Sequence, residues 1–132
     1  MGSPGASQNA NPIGSQTINY DSNYGVEEVA NSALNGLANG GNISGLVFNN
    51  ITSAMYAKVV ITLHTISPSG MSPNIQIDNG TSYYELSVDT TTSAKRVEFL
   101  SIPTSFLTSF KIYNNTGVAL ASGGNACTVY PM

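Results

Sequence analysis

Residues 56–66 alternate without a break: Ala57, Val59, Ile61 and Leu63 fall on one face, Lys58, Val60, Thr62 and His64 on the other. A repeat of two gathers apolar side chains on one side of an extended strand and scatters them around a helix, so this segment predicts a β-strand. Its length predicts a central, well-paired one. Pro68-Ser69-Gly70 ends it, and residues 74–78 start a second alternating run. Asn79-Gly80 follows, flanked by alternation on both sides. That dipeptide predicts a type I′ hairpin turn, in which both central residues need positive φ, with residues 82–88 as the second arm.

The same reading extends over most of the chain. Residues 43–49 are a short apolar run, residues 95–101 alternate through Val97 and Phe99 until Pro103, and residues 107–113 carry Phe110 and Ile112. Asn114-Asn115-Thr116-Gly117 turns the chain, residues 118–121 extend it, Gly123-Gly124 punctuate it, and residues 126–130 form a closing strand. With residues 17–20 as a weak first strand there are about eight. Strands at this spacing predict an all-β antiparallel sandwich, and one long early connection among eight strands predicts a jelly-roll-like winding. Composition agrees, since Gly, Asn, Ser and Thr make up 57 of 132 residues and charged residues only 8%. Turn formers and β-branched residues suit sheets, whereas helical bundles are built on Ala, Leu, Glu, Lys and Arg. One stretch reads differently: Val26, Val29, Ala30, Ala33, Leu34 and Leu37 keep helical spacing, which predicts a short helix within residues 28–38, or irregular structure, before Asn39-Gly40-Gly41.

Residues 1–16 hold Gly, Pro, Ser, Asn and Gln around Ile13, too little apolar surface to order alone. They read as an extended arm, flexible or docked on a partner, ahead of a single domain at 17–132. The large apolar side chains of this region, Ile13, Ile18, Tyr20 and Tyr24, are the candidate partner contacts. Four Lys and Arg against seven Asp and Glu give a net charge of −3. A surface so poor in cations has nothing with which to neutralise a phosphate backbone, so nucleic acid is not an expected partner. The apolar runs are too short to span a bilayer as helices, and the first residues lack the basic start and apolar stretch of a signal peptide, so no membrane association is expected.

Chemistry is sparsely provided for. His64 is the only histidine and Cys127 the only cysteine; neither has the company of further ligands that a metal site needs. Cys127, among Ala126, Val129 and Tyr130, reads as a buried thiol, and His64 as a satisfied, partly exposed strand residue. Glu85 with Glu98, or Asp78 with Asp89, are the carboxylate pairs that a glycosidase would need about 5 or 9 Å apart. Solvated faces are the simpler reading, so no catalytic, cofactor or metal residue is expected. Tyr56, Tyr83, Tyr84, Tyr113 and Tyr130 offer apolar area with a polar tip and could make a protein or glycan contact surface. The four Asn-x-Ser/Thr sequons, at Asn42, Asn50, Asn79 and Asn114, are about what the composition alone produces.

Three stretches carry a resemblance. They are Ala33-Leu34-Asn35-Gly36-Leu37-Ala38-Asn39-Gly40-Gly41, followed by Asn49-Asn50 and the strand through Val60-Ile61-Thr62-Leu63; then Thr92-Ser93-Ala94-Lys95-Arg96-Val97; and Phe110-Lys111-Ile112-Tyr113-Asn114-Asn115-Thr116-Gly117-Val118-Ala119-Leu120-Ala121-Ser122-Gly123-Gly124-Asn125. In this order, over about residues 30–130, they resemble the capsid decoration, or cement, proteins of tailed bacteriophages, with one Gly more before Asn125 than that pattern has. The resemblance implies a jelly-roll-like structural protein at the capsid surface, made in the host cytoplasm. Its implied partners are major capsid protein subunits and further copies of itself, as a trimer. It brings no catalytic residues. The alternative within binding proteins is a tail- or fibre-associated module that recognises a receptor or glycan.

Overall fold

The computed structural model describes residues 26–49, 54–90 and 93–132. Eight strands form two antiparallel sheets of four: β1 (Glu27–Val29), β2 (Asn42–Leu46), β3 (Tyr56–Ile66), β4 (Asn74–Asp78), β5 (Tyr83–Ser87), β6 (Ser93–Pro103), β7 (Phe110–Asn115) and β8 (Ala126–Pro131). One sheet runs β1-β8-β3-β6, the other β2-β7-β4-β5. The all-β sandwich expected from the alternation is therefore present. Four of its pairings, β1 with β8, β2 with β7, β3 with β6 and β4 with β5, join strands counted inward from the two ends of the chain. The chain thus lies like a long antiparallel ribbon, wound so that successive strand pairs alternate between the sheets.

The core is the facing surface of the two sheets. Ala57, Val59, Ile61 and Leu63 of β3 are fully buried, as are Ile75 and Ile77 of β4 and Ile112 of β7. β3 is central, paired on both sides, as its alternation predicted. Two bulges keep the inner face apolar where simple alternation would fail. Pairing passes from Val59 opposite Phe99 to Ala57 opposite Ile102, so β6 holds one extra residue there, and Ser101 takes φ 56°. It passes likewise from Leu63 opposite Lys95 to Ile66 opposite Ser93, with Thr65 at φ 39° in β3. Each inserted residue flips the phase of its strand, turning Ile102 and Ile66 inward beside Phe99 and Leu63.

Three expectations need correction. Residues 28–38 hold no helix beyond the single turn α1 (Asn31–Leu34): residues 27–29 are β1, Ala30 is left-handed at φ 62°, and Asn35 is already extended. Helical spacing arose because Val29 and Leu34 are buried and Ala30 and Leu37 pack against the core, as one side of any irregular segment laid on a core will do. The β4–β5 hairpin exists, but its loop has four residues, with Asp78 opposite Tyr83, and only Gly80 has positive φ (+89°). Asn79 instead accepts the N–H groups of Thr81 (3.0 Å) and Ser82 (2.9 Å) on its side-chain oxygen, a local closure that a type I′ turn does not require. Residues 104–108 form a 3-10 turn, so the strand expected from residue 107 begins at Phe110. The weak strand at 17–20 lies outside the described residues.

Candidate functional site

The residues singled out for chemistry are dispersed. Cys127 is fully buried on the inner face of β8, and loss of solvation pushes its thiol up to about 12. Its N–H donates to Asn31 Oδ1 at 2.8 Å. His64 is exposed on the outer face of the same sheet; its N–H donates to Asn125 Oδ1 at 3.0 Å, and its side chain lies on the backbone of Gly124. Thiol and imidazole therefore stand on opposite faces and cannot act together. Asp78 is the last residue of the β4–β5 ladder at one end and Asp89 lies two residues past the other, some six residues of strand or ~20 Å apart. Asp89 pairs with the buried Lys95 at 2.6 Å. Glu85 and Glu98 do reach a common depression, but a hydrogen bond from Arg96 holds the Glu98 carboxyl below the usual carboxylate range, the opposite of what a general acid needs. Among the described residues no group of His, Cys, Asp and Glu could hold a metal ion.

That depression lies between two outer strands of the sandwich. β5 and β6 are the outer strands of their sheets on the same side of the molecule, and among the described residues β5 pairs only with β4, β6 only with β3. Tyr84 and Leu86 lie opposite Ile77 and Ile75 in register, hence on the inner face. Ile75 and Ile77 are fully buried, yet Tyr84 and Leu86 remain 38% and 37% exposed. Core-facing side chains are thus open to solvent because, among the described residues, no further strand lies beyond β5. Between the two edges is a hollow of about 330 Å³, with Phe99 and Ile102 in its lining, Tyr84, Leu86 and Leu100 also in contact with it, and Glu85 and Glu98 as its charged residues. Tyr84 is steadied by an edge-to-face contact with Phe106, centroids 5.0 Å apart.

The tyrosines do not make one surface. Tyr83 and Tyr113 share the outer face of the second sheet, Tyr84 faces the hollow, and Tyr56 and Tyr130 belong to the outer face of the first sheet, where Lys58 Nζ lies 5.0 Å from the Tyr130 ring centre. Ile13, Ile18, Tyr20 and Tyr24 lie outside the described residues. Leu86 and Leu100 were not singled out by the sequence. Nothing local distinguishes an inward residue of an edge strand from one of a central strand, since both alternate alike.

Two of the three stretches that carry the family resemblance form one unit. Asn114, fully buried, donates through Nδ2 to the carbonyls of Leu37 (2.9 Å) and Val118 (2.8 Å) and accepts on Oδ1 from Thr116 N–H (3.0 Å) and Oγ1 (2.6 Å). Asn39 Oδ1 accepts the Gly117 N–H at 2.9 Å, and Asn35 Oδ1 accepts both the N–H (3.2 Å) and Nδ2 (2.9 Å) of Asn125. The backbone adds Gly36 N–H to Ala121, Leu120 N–H to Leu37 and Gly40 N–H to Asn114. Amides in these stretches therefore serve the backbone groups of loops that no sheet ladder satisfies. The sequon at Asn114 is closed to glycosylation in the folded chain by the same burial. Comparison with protein-family descriptions, with characterised proteins and with solved structures finds no match to this chain.

Proposed function

We propose that this chain is a structural virion protein of a tailed bacteriophage that decorates and stabilises the assembled capsid. In this reading it has no catalytic activity, sits at the capsid surface after synthesis in the host cytoplasm, and binds major capsid protein subunits as a trimer. Three things support it. The ordered resemblance over about residues 30–130 points to that class. The pairing of strands from the chain ends inward, alternating between two four-stranded sheets, fits a jelly-roll winding. The observation that carries most weight is the open β5/β6 side, where backbone edges and core-facing Tyr84 and Leu86 await a protein surface. A decoration protein that binds the assembled shell and not its free subunits stabilises the shell by mass action. The test compares DNA release on heating from virions with and without the protein. Release at higher temperature with the protein present is expected; superimposable curves refute the role.

A second reading, a glycan-binding module of tail or fibre, is favoured by one feature. The outer face of the second sheet aligns Tyr113 with Gln76 and Glu85 across three strands, with Asn74 and Asn115 beside them. Copy number separates the two: hundreds per particle for a decoration protein, about a dozen for a fibre component.

A further inference from the structure

We propose that the open β5/β6 side of each copy is closed by the N-terminal segment of a second copy, residues 17–20 adding beside β5 so that Ile18 and Tyr20 enter the hollow against Leu86 and Tyr84. This deepens the self-association named above and rests on that part of the reading alone.

The hollow lacks one strand. Leu86 and Tyr84 are two residues apart on the inner face and both are over a third exposed, so a strand placed one spacing beyond β5, about 4.8 Å, would cover them. Its own inward side chains must then be apolar and two residues apart, as Ile18 and Tyr20 are. Charge narrows the choice of occupant. Glu85 and Glu98 belong to the outer faces of β5 and β6 and reach only the rim of the hollow, Glu98 paired with Arg96; residues 1–20 contain no Asp, Glu, Lys, Arg or His, so this segment sets no charge against Glu85 and brings none to be desolvated. Pairing β5 with β5 of another copy, antiparallel about its middle residue, would instead set Glu85 directly against Glu85.

Reach favours another copy over the same one. The segment outside the described residues ends at Gly25, beside β1, and β1 and β6 are the opposite outer strands of one sheet. Crossing three strand spacings and the gap between sheets is about 17 Å in a straight line, and a path around the side chains is longer. The six steps from Tyr20 to Val26 span at most about 20 Å fully extended, which leaves no slack for a route around its own sandwich. A neighbour that brings its β5 beside β1 needs no such detour. The contact joins two different surfaces, the β1 side of one copy and the β5 side of the next, and such a head-to-tail contact closes into a ring when its rotation permits.

The test uses purified full-length protein, where no virion is present, so its outcome is independent of the capsid role. Protein carrying Ile18→Cys is mixed under mild oxidation with protein carrying Leu86→Cys; the native Cys127 is buried in both. A covalent heterodimer is expected from the mixture, and none when Gln76→Cys, on the outer face of β4, replaces the second partner. In parallel, Ile18→Asp with Tyr20→Asp should weaken self-association by more than about tenfold in sedimentation equilibrium while the urea midpoint of the dilute monomer stays unchanged. Absence of the heterodimer overturns the inference, as does an Ile18→Cys/Leu86→Cys chain that links only within itself. Equal linking to Gln76→Cys, or unaltered association of the Asp variant, overturns it as well.

Discussion

Replacing Asn114 with Ala tests whether the amide network holds the loops of one end together. The substitution removes four side-chain hydrogen bonds. At about 1 kcal/mol each their loss comes to ~4 kcal/mol. Part of this is recovered, because Leu37 O keeps the Leu120 N–H (2.9 Å) and the one Thr116 hydroxyl hydrogen, no longer shared with Asn114 Oδ1, goes wholly to Val118 O (2.9 Å). The Thr116 N–H is then the group left buried without an acceptor, at about 1–3 kcal/mol. The expected destabilisation is therefore about 3 kcal/mol, a large share of the roughly 5–15 kcal/mol that holds a domain folded. Urea unfolding followed by tyrosine fluorescence reads it directly; with a slope of about 1–3 kcal/mol/M the midpoint should fall by roughly 1–3 M. Asn115→Ala is the control. Its side chain bonds Asn74 and Gln76 on the outer face at 3.2 and 3.4 Å, and its loss should cost under about 1 kcal/mol. Asn114→Asp adds a sign. The new carboxylate would face two carbonyl oxygens, which raises its folded pKa, so its neutral form is the one the fold tolerates. That variant should be most nearly wild type below the unfolded carboxylate pKa and lose stability as pH rises through the folded one. A cost below about 1 kcal/mol for Asn114→Ala, or no pH dependence in the Asp variant, refutes the reasoning.

Cys127 should resist thiol reagents in the native protein at pH 8 and react fully in urea. Its folded pKa is raised to about 12, so stability is intact below the unfolded thiol value near 9.0 and is lost as pH rises towards 12, a slope that Cys127→Ala should abolish. Gly117→Ala should destabilise by roughly 2–5 kcal/mol in thermal melts, since its φ is +87° and a Cβ would stand 2.1 Å from Ser69 O, whereas Gly123→Ala, with nothing within 4 Å, should be nearly silent. His64→Ala should leave the proposed capsid binding at wild-type strength, measured by cosedimentation with shells lacking the protein; a tenfold loss would place the exposed outer face of β3 in the contact.

How far the sequence could be read follows from the range of each interaction. Alternation in residues 56–66 exposed β3 and even its central place, because a strand buried on both flanks keeps apolar residues such as Val60 on its outer face too. The β4–β5 hairpin was legible in position and wrong in turn type, since Asn79 satisfies neighbouring N–H groups by its side chain and needs no left-handed backbone. The bulges at Ser101 and Thr65 had no signal: neither is the glycine that usually marks a left-handed residue, and both are forced by pairing with distant strands. The open edge was hidden for a similar reason. Tyr84 reads as one of five candidate contact tyrosines and Leu86 as an ordinary strand residue; register places both on the inner face, and only the strand order reveals that, among the described residues, no strand lies beyond them.

The interlocked loops also decide when the chain can finish folding. Asn31 meets Cys127 across 96 residues, Asn35 meets Asn125 across 90, and Asn39 meets Gly117 across 78. Closing loops of that length precedes any gain from the bonds they allow, so these contacts are expected to form late and the chain to fold slowly for its size. On a ribosome, β1 must wait for its partner β8 until residues 126–131 have left the exit tunnel. Bonds formed after the rate-limiting step act on escape from the native state rather than on arrival, so the same amides that delay folding lengthen the lifetime of the folded chain.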